Sequence, residues 1–389
     1  MPRKGTLVLT NAFGPVNRGD EELLSNVLDA VDYDEWDVHL IARDPELCRK
    51  VFPRVQAHEQ IGKFTKGGPV GGLIRVLYAT VAIVASKLPG ALRLLPASQR
   101  RSVEVIRSAD LVVSCPGGYI EDSSMSGYLQ IVQPLIASLS GHQMVWAPQS
   151  VGPMHNKLAR RVLRYPLERA DTVFVRDTPS LNLCKDLGVE AVLSVDVALS
   201  GLAHPVVDTR EDITNGYSVV VPMRWAFPRD EDGSQSAKKR YAREIVNLVE
   251  MLKRRVSDEV VLMEQVGGDR EVIDQVADTT GCRVVSPNSP QEARSLMAGA
   301  RTCVSSRLHG GVFALQSGCP VAFLEYLPKT TGVLTVAGID VDVFPIDSFD
   351  ANDVVTALES RLETGAPIID LTAESPDSFT PLWLSLIHI

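Results

Sequence analysis

Excess positive charge is missing from this chain: 39 Lys and Arg stand against 48 Asp and Glu, a net charge of −9. A general nucleic-acid surface needs a basic face, so no nucleic-acid partner is expected. Any anionic ligand must then be held by local arginines against an unfavourable background. Cysteine pairing is missing too. The six cysteines (Cys48, Cys115, Cys184, Cys282, Cys303, Cys319) form no CxxC and do not cluster with histidine. That pattern lacks zinc-ligand spacing, predicts no obligatory metal, and fits reduced core thiols in a cytoplasmic protein. Aromatic residues are sparse at 6%, while apolar residues reach 45%, the composition of an ordinary globular protein able to bury sizeable cores.

No secretory signal opens the chain, which runs from Gly5 straight into Thr6-Leu7-Val8-Leu9-Thr10, a first strand. A clean spanning segment is also lacking. The most lipid-like stretch, Leu73 to Leu95, is interrupted by Arg75, Lys87, Pro89, Gly90 and Arg93. Its unbroken apolar core falls far short of the roughly 20 residues a spanning helix needs. We read it as a helix packed on a sheet. The alternative is a foot resting on the inner face of the plasma membrane, near a lipid-linked acceptor.

What the chain does have is alternation. Strand-like runs lie at 6–10, 38–42, 111–114, 143–147, 172–175 and 191–195. They are separated by amphipathic stretches such as 20–31, where Leu23, Leu24, Val27, Leu28 and Val31 share a face. Continuous apolar strands mark a parallel sheet covered on both sides. Residues 201–216 read as a linker. A second series follows, with strands near 217–222, 259–264, 282–285, 302–305 and 320–324, and helices near 236–256, 269–279, 290–299 and 308–317. At 389 residues two domains are expected. The predicted architecture is α/β: two doubly wound, Rossmann-like domains facing each other across a cleft. Boundaries are placed at 1–204, with a helical insertion at 70–100, and at 205–345, followed by a helix and tail over 346–383. The last six residues, LSLIHI at 384–389, read as a translated library adapter. The natural chain is therefore expected to continue past Trp383, and His388 carries no functional weight.

The most telling stretch is Ser306-Arg307-Leu308-His309, followed by Gly310-Gly311 and an apolar helix-like run. A guanidinium and an imidazole emerge together where a strand ends and a helix begins, the edge at which open α/β sheets bind ligands. Arginine is a permanent anion clamp, and histidine moves protons near neutral pH. Other candidates also follow strands. Asn17-Arg18-Gly19-Asp20 offers a glycine loop for an anion, although Asp20 before Glu21 and Glu22 reads first as a helix cap. Gly117 and Gly118 permit a sharp turn before Asp122, which is placed to orient or deprotonate a hydroxyl. Gln149-Ser150-Val151-Gly152-Pro153 is a turn, and Arg176 emerges at a strand end beside Asp177. Glu325, Tyr326 and Lys329 close another strand. Loops at one sheet edge converge, so Arg176 and Arg307 are expected to meet one ligand from opposite domains.

Taken in order, NRGD (17–20), ADLVVSCPGGYIED (109–122), QSVGP (149–153), VRDTPS (175–180), SSRLHGG (305–311) and GCPVAFLEYLPK (318–329) resemble the polysaccharide pyruvyl transferase family. Two departures are visible: Pro-Gly-Gly replaces the family's GGG, and Pro179 precedes Ser180. The resemblance implies a GT-B-like fold with an N-terminal acceptor side and a C-terminal donor side. It implies phosphoenolpyruvate as co-substrate, no further cofactor, and a sugar or lipid-linked glycan acceptor that becomes a cyclic pyruvate ketal as phosphate leaves. Arg176 and Arg307 match the anion-binding positions, with Asn17, Asp20, Gly117, Gly118, Ser306, Glu325, Tyr326 and Lys329 as further substrate contacts. His309 is expected as the general acid, with Asp122 acting on the acceptor. Two other readings stay open: a nucleotide-sugar glycosyltransferase, since fold is not function, and a catalytically silent binding protein of polysaccharide biosynthesis. Acceptor sugar and oligomeric state are not legible.

Overall fold

β-Branched apolar runs build two separate parallel sheets. The computed structural model describes residues 4–64, 68–122, 124–199, 216–224 and 233–364. The expected linker at 201–216, apart from its last residue, the tail from 365 and the adapter-like end lie outside the described residues.

The first sheet joins β1 (Gly5–Ala12), β2 (Trp36–Ala42), β3 (Gln56–Glu59), β4 (Leu111–Ser114), β5 (Gly117–Ile120), β6 (Gln143–Val151), β7 (Thr172–Val175) and β8 (Val192–Leu193). Its order is β3-β2-β1-β4-β6-β7-β8, with β5 paired to β6. The second joins β9 (Tyr217–Val221), β10 (Val260–Met263), β11 (Arg283–Val285), β12 (Ala300–Ser305), β13 (Val321–Glu325) and β14 (Asp342–Pro345) in the order β11-β10-β9-β12-β13-β14. Both follow the doubly wound order, in which the chain reverses direction across the sheet beside its first strand.

Helices α1 (Arg18–Asp29), α2 (Pro45–Val51), α3 (Gly68–Lys87), α4 (Ala97–Arg107), α5 (Met125–Ser140), α6 (Lys157–Glu168) and α7 (Thr178–Asp186) accompany the first sheet. Helices α8 (Gly233–Arg255), α9 (Arg270–Thr280), α10 (Pro290–Ala298), α11 (Leu308–Gln316), α12 (Lys329–Val336) and α13 (Ala351–Thr364) accompany the second. Local chemistry sets many of their starts. Ser124 accepts from Gly127 N at 3.1 Å to cap α5, and Ser289 accepts from Glu292 N at 3.1 Å to cap α10, with Pro290 in the first turn.

One core gathers Val8, Ile41, Ile106, Met144, Trp146 and Leu163; the other gathers Val220, Ile245, Leu252, Leu262, Val304 and Leu358. The units divide between Val197 and Ala198, and Asn17–Glu22 is grouped with the second. The sequence alone places the break near 204 and those six residues in the first domain. Helix α13 packs on α8 and so belongs to the second unit's layer.

Two details depart from expectation. Gln149 and Ser150 lie inside β6 rather than in a turn. Helix α3 is covered on one face only: Ala79, Ala82 and Ala85 are buried, while Val70, Leu73 and Leu77 are exposed. Despite Arg75, its Val70–Lys87 window is long and apolar enough to cross a membrane by length and composition, with mean hydropathy 1.5.

Candidate active site

In the second unit, β9 and β12 are neighbours whose connections run to opposite sides, which makes their C-terminal ends a ligand-binding edge. β12 delivers Ser305 and Ser306 there, and Arg307 becomes the N-cap of α11 without making a side-chain capping bond. The helix's opening amides thus receive no cap from Arg307, and such an N-terminus favours an anion.

The Arg307 guanidinium does not hang free. Nε donates to Asp269 Oδ2 at 2.9 Å and Nη2 to Oδ1 at 2.6 Å, a bidentate pair. Asp269 is fully buried, and its Oδ1 also accepts from the Arg224 amide at 2.8 Å. The fork is therefore fixed in direction, while Nη1 carries no hydrogen bond among the described residues. Ser306 Oγ lies 2.9 Å from the hydroxyl of buried Tyr241, which accepts from the Met223 amide at 3.0 Å. Burial pushes the Tyr241 phenol up to about 12, with its Ser306 hydrogen bond pulling the other way. It stays neutral and pins the turn.

His309 sits in the first turn of α11 and is buried. The backbone of Gly19 closes against its imidazole, so that a Cβ at Gly19 would overlap the ring. The NRGD and SRLHGG motifs, 290 residues apart in sequence, thus meet. Asn17 holds the approach: its Oδ1 accepts from Gly19 N at 3.0 Å and from Gln265 Nε2 at 3.2 Å, and its backbone bridges to Val266. Asn17, not Asp20, plays the capping part expected at this helix start. Asp20 is buried within the first turn. Arg18 pairs with Glu21 and donates to Asn288 O at 2.7 Å.

Gly310 and Gly311 are helical and serve close packing rather than a turn. A Cβ at Gly311 would strike the Phe323 ring, and one at Gly310 would lie 2.6 Å from Ser305 Oγ. At the end of β13, Glu325 accepts from Thr331 N at 2.7 Å and Oγ1 at 2.9 Å, and the Lys329 ammonium stands 5.1 Å from the Tyr326 ring centroid.

The first unit holds the rest of the expected set, in other roles. Arg176 is 2% exposed, ion-paired with fully buried Asp196, and donates from Nε to Ser150 Oγ at 3.0 Å. It organises a buried polar knot rather than offering an open anion clamp. Asp177 caps α7 through Ser180 N at 2.8 Å and also accepts from Ser150. Asp122 Oδ2 accepts from the His155 and Asn156 amides at 2.6 and 2.5 Å, which ties its carboxylate to the start of α6, while Oδ1 makes no hydrogen bond among the described residues. Gly117 adopts φ 151°, where a Cβ would hit the Tyr119 ring, and Gly118 lies beside it in β5. Tyr119 stacks on Phe13 at 4.0 Å between centroids.

Sequence reasoning missed Asp269, Tyr241 and Gln265. A signal for Asp269 was present: strand β10 is followed by Gly267-Gly268-Asp269, the same strand, glycine pair and acid order singled out near 117–122. Tyr241 and Gln265 had none, because their partners lie 65 and 248 residues away.

The sequence matches the family model for polysaccharide pyruvyl transferase over residues 22–328. The amylovoran biosynthesis protein AmsJ of Erwinia amylovora is 20% identical over 374 residues, 89% of each chain. Among solved structures, the UDP-GlcNAc 2-epimerase of Neisseria meningitidis is similar in fold, with TM-score 0.54 and 11% identity over 93% of this chain and 92% of that one. The Methanocaldococcus jannaschii UDP-GlcNAc 2-epimerase gives 0.53 and 11% over 92% and 93%. That likeness and the two sheet orders agree on a pair of Rossmann-like domains of GT-B type. A match over most of the chain, on top of an arginine–histidine turn at a sheet's ligand-binding edge, settles the kinship: this chain belongs to the polysaccharide pyruvyl transferase family, among the enzymes of polysaccharide biosynthesis.

Proposed function

We propose that the chain moves the pyruvyl group of phosphoenolpyruvate onto a hydroxyl pair of a sugar in a surface polysaccharide or its precursor, on the cytoplasmic side of the membrane. One observation carries this reading: His309 is locked in the first turn of α11, two residues after an Arg307 whose direction Asp269 fixes. An anion gripped by Arg307 and the helix N-terminus lies beside an imidazole.

The chemistry that follows balances. A sugar oxygen bonds to the donor's C2 while protonated His309 gives a proton to C3, turning the methylene into a methyl group. The attacking hydroxyl gives up its proton to solvent. The second hydroxyl then bonds to C2 as the C2–O bond to phosphate breaks, and its proton returns to the His309 imidazole left neutral by the first step, which yields the ketal and inorganic phosphate and restores the acid. Arg307 and the α11 amides steady the donor's carboxylate or phosphate throughout. Asp122, held by two amides, and Arg176, held by Asp196, support the first unit's loops on this reading. No additional cofactor enters, and the acceptor is a sugar or a lipid-linked glycan.

His309→Ala should lower phosphate release by about 10²–10⁴-fold with folding intact. Wild-type turnover in that variant overturns the assignment. Thermal stabilisation by UDP- or GDP-sugars but not by phosphoenolpyruvate points instead to a nucleotide-sugar transferase.

A further inference from the structure

Helix α3 carries two opposed faces. Ala79, Ala82 and Ala85 press into the first unit's core, with Ala82 and Ala85 fully buried. On the other side Val70, Leu73, Leu77 and Val84 are 71%, 70%, 55% and 44% exposed, and Leu88 continues the line at 63%. At 3.6 residues per turn the four on the helix fall within an arc of about 60°, a stripe along the helix axis, and Leu88 follows just past its end. Scattered exposed apolar residues need no explanation, but a contiguous stripe marks an interaction surface.

Charge narrows the occupant. From Gln60 to Val103 the chain holds three Lys and four Arg and no Asp or Glu, although the chain as a whole has a net charge of −9. Lys87 and Arg93 are exposed beside Leu88 and Leu94, and neither has an acidic partner among the described residues. Two copies of this face would set basic edges against each other. An anionic lipid surface complements both the stripe and its cations. A spanning role is excluded by the alanine face, which is already packed in protein. On the flank of α3 that carries Ile83, a groove of about 200 Å³ lined by Ile83, Tyr128, Ile131, Leu135, Leu158 and Val162 adds further apolar surface.

We propose that α3 and the turn after it lie in the plane of an anionic bilayer, the stripe sunk to the level of the acyl boundary and Lys87 and Arg93 at the phosphates. This stands apart from the pyruvyl-transfer reading.

Co-sedimentation with vesicles tests it. Wild-type protein should partition onto equimolar phosphatidylcholine–phosphatidylglycerol vesicles and at least about tenfold less onto phosphatidylcholine alone, with binding that weakens as salt rises. The triple variant Leu73→Glu, Leu77→Glu, Val84→Glu should lose binding while keeping its Tm, since all three side chains are exposed. Lys87→Glu with Arg93→Glu should weaken it about tenfold or more. Absence of wild-type binding, or glutamate variants that bind like wild type, overturns the proposal. So does a wild-type dimer that Leu73→Glu splits, which would assign the face to a second copy.

Discussion

Gly19 and His309 share one small volume: the glycine's missing side chain is where the imidazole stands. Gly19→Ala should therefore push the ring out of place without removing any reacting group. A displacement of about 1 Å at a proton donor can cost about 10²-fold in rate. Steady-state phosphate release should fall by that order while the Tm stays within a few degrees of wild type. Full activity in Gly19→Ala would show that the ring's position does not matter.

The Arg307–Asp269 pair separates stability from binding. Arg307→Ala leaves a fully buried carboxylate without its main partner, a loss of about 3–5 kcal/mol at most. Adding Asp269→Asn should restore much of the urea-unfolding midpoint, because the buried charge is gone. It should restore none of the turnover. A double variant that regains activity excludes Arg307 from donor binding.

Arg176 makes the opposite forecast. Its guanidinium is buried with Asp196 and Ser150, so Arg176→Ala should destabilise the first unit by about 3–5 kcal/mol. Calorimetry should show an early transition for that variant. A variant with an unshifted Tm and a raised KM for phosphoenolpyruvate would return Arg176 to the role of substrate clamp.

The His39 and His58 rings approach to 2.9 Å between Nδ1 and Nε2 and stack. Burial, and then the neighbouring His39 charge, pull His58 down to about 4, and burial also lowers His39 against the attraction of Asp37. The unfolded chain, with His near 6.5, binds more protons than the folded one between about 6.5 and about 4. Stability from this pair is complete above that window and declines as pH falls through it. Replacing His58 with Gln should flatten the fall of Tm over that range. An unchanged slope removes the pair as its source.

Sequence made the repeating architecture legible because parallel strands buried on both faces are unbroken apolar runs, as at Val219–Val221 and Val260–Met263. It missed β3 (QAHE), a polar edge strand, β5 (GGYI), whose glycine pair reads as a turn, and β14 (DVFP), which ends in proline. The turn carrying Arg307 and His309 stood out because charge and imidazole follow a strand directly. What was hidden is who pairs with whom. Asp196, 20 residues on, neutralises Arg176, and the His155 and Asn156 amides hold one oxygen of Asp122; neither pairing is written in the local sequence.

The grouping of Asn17–Glu22 with the later half of the chain carries a practical consequence. No single cut liberates the second unit whole, because a gene fragment beginning at Ala198 omits the hexapeptide that walls in the imidazole. During synthesis those six residues leave the ribosome nearly 300 positions before His309, so the turn that carries His309 is completed by a piece of chain made long in advance.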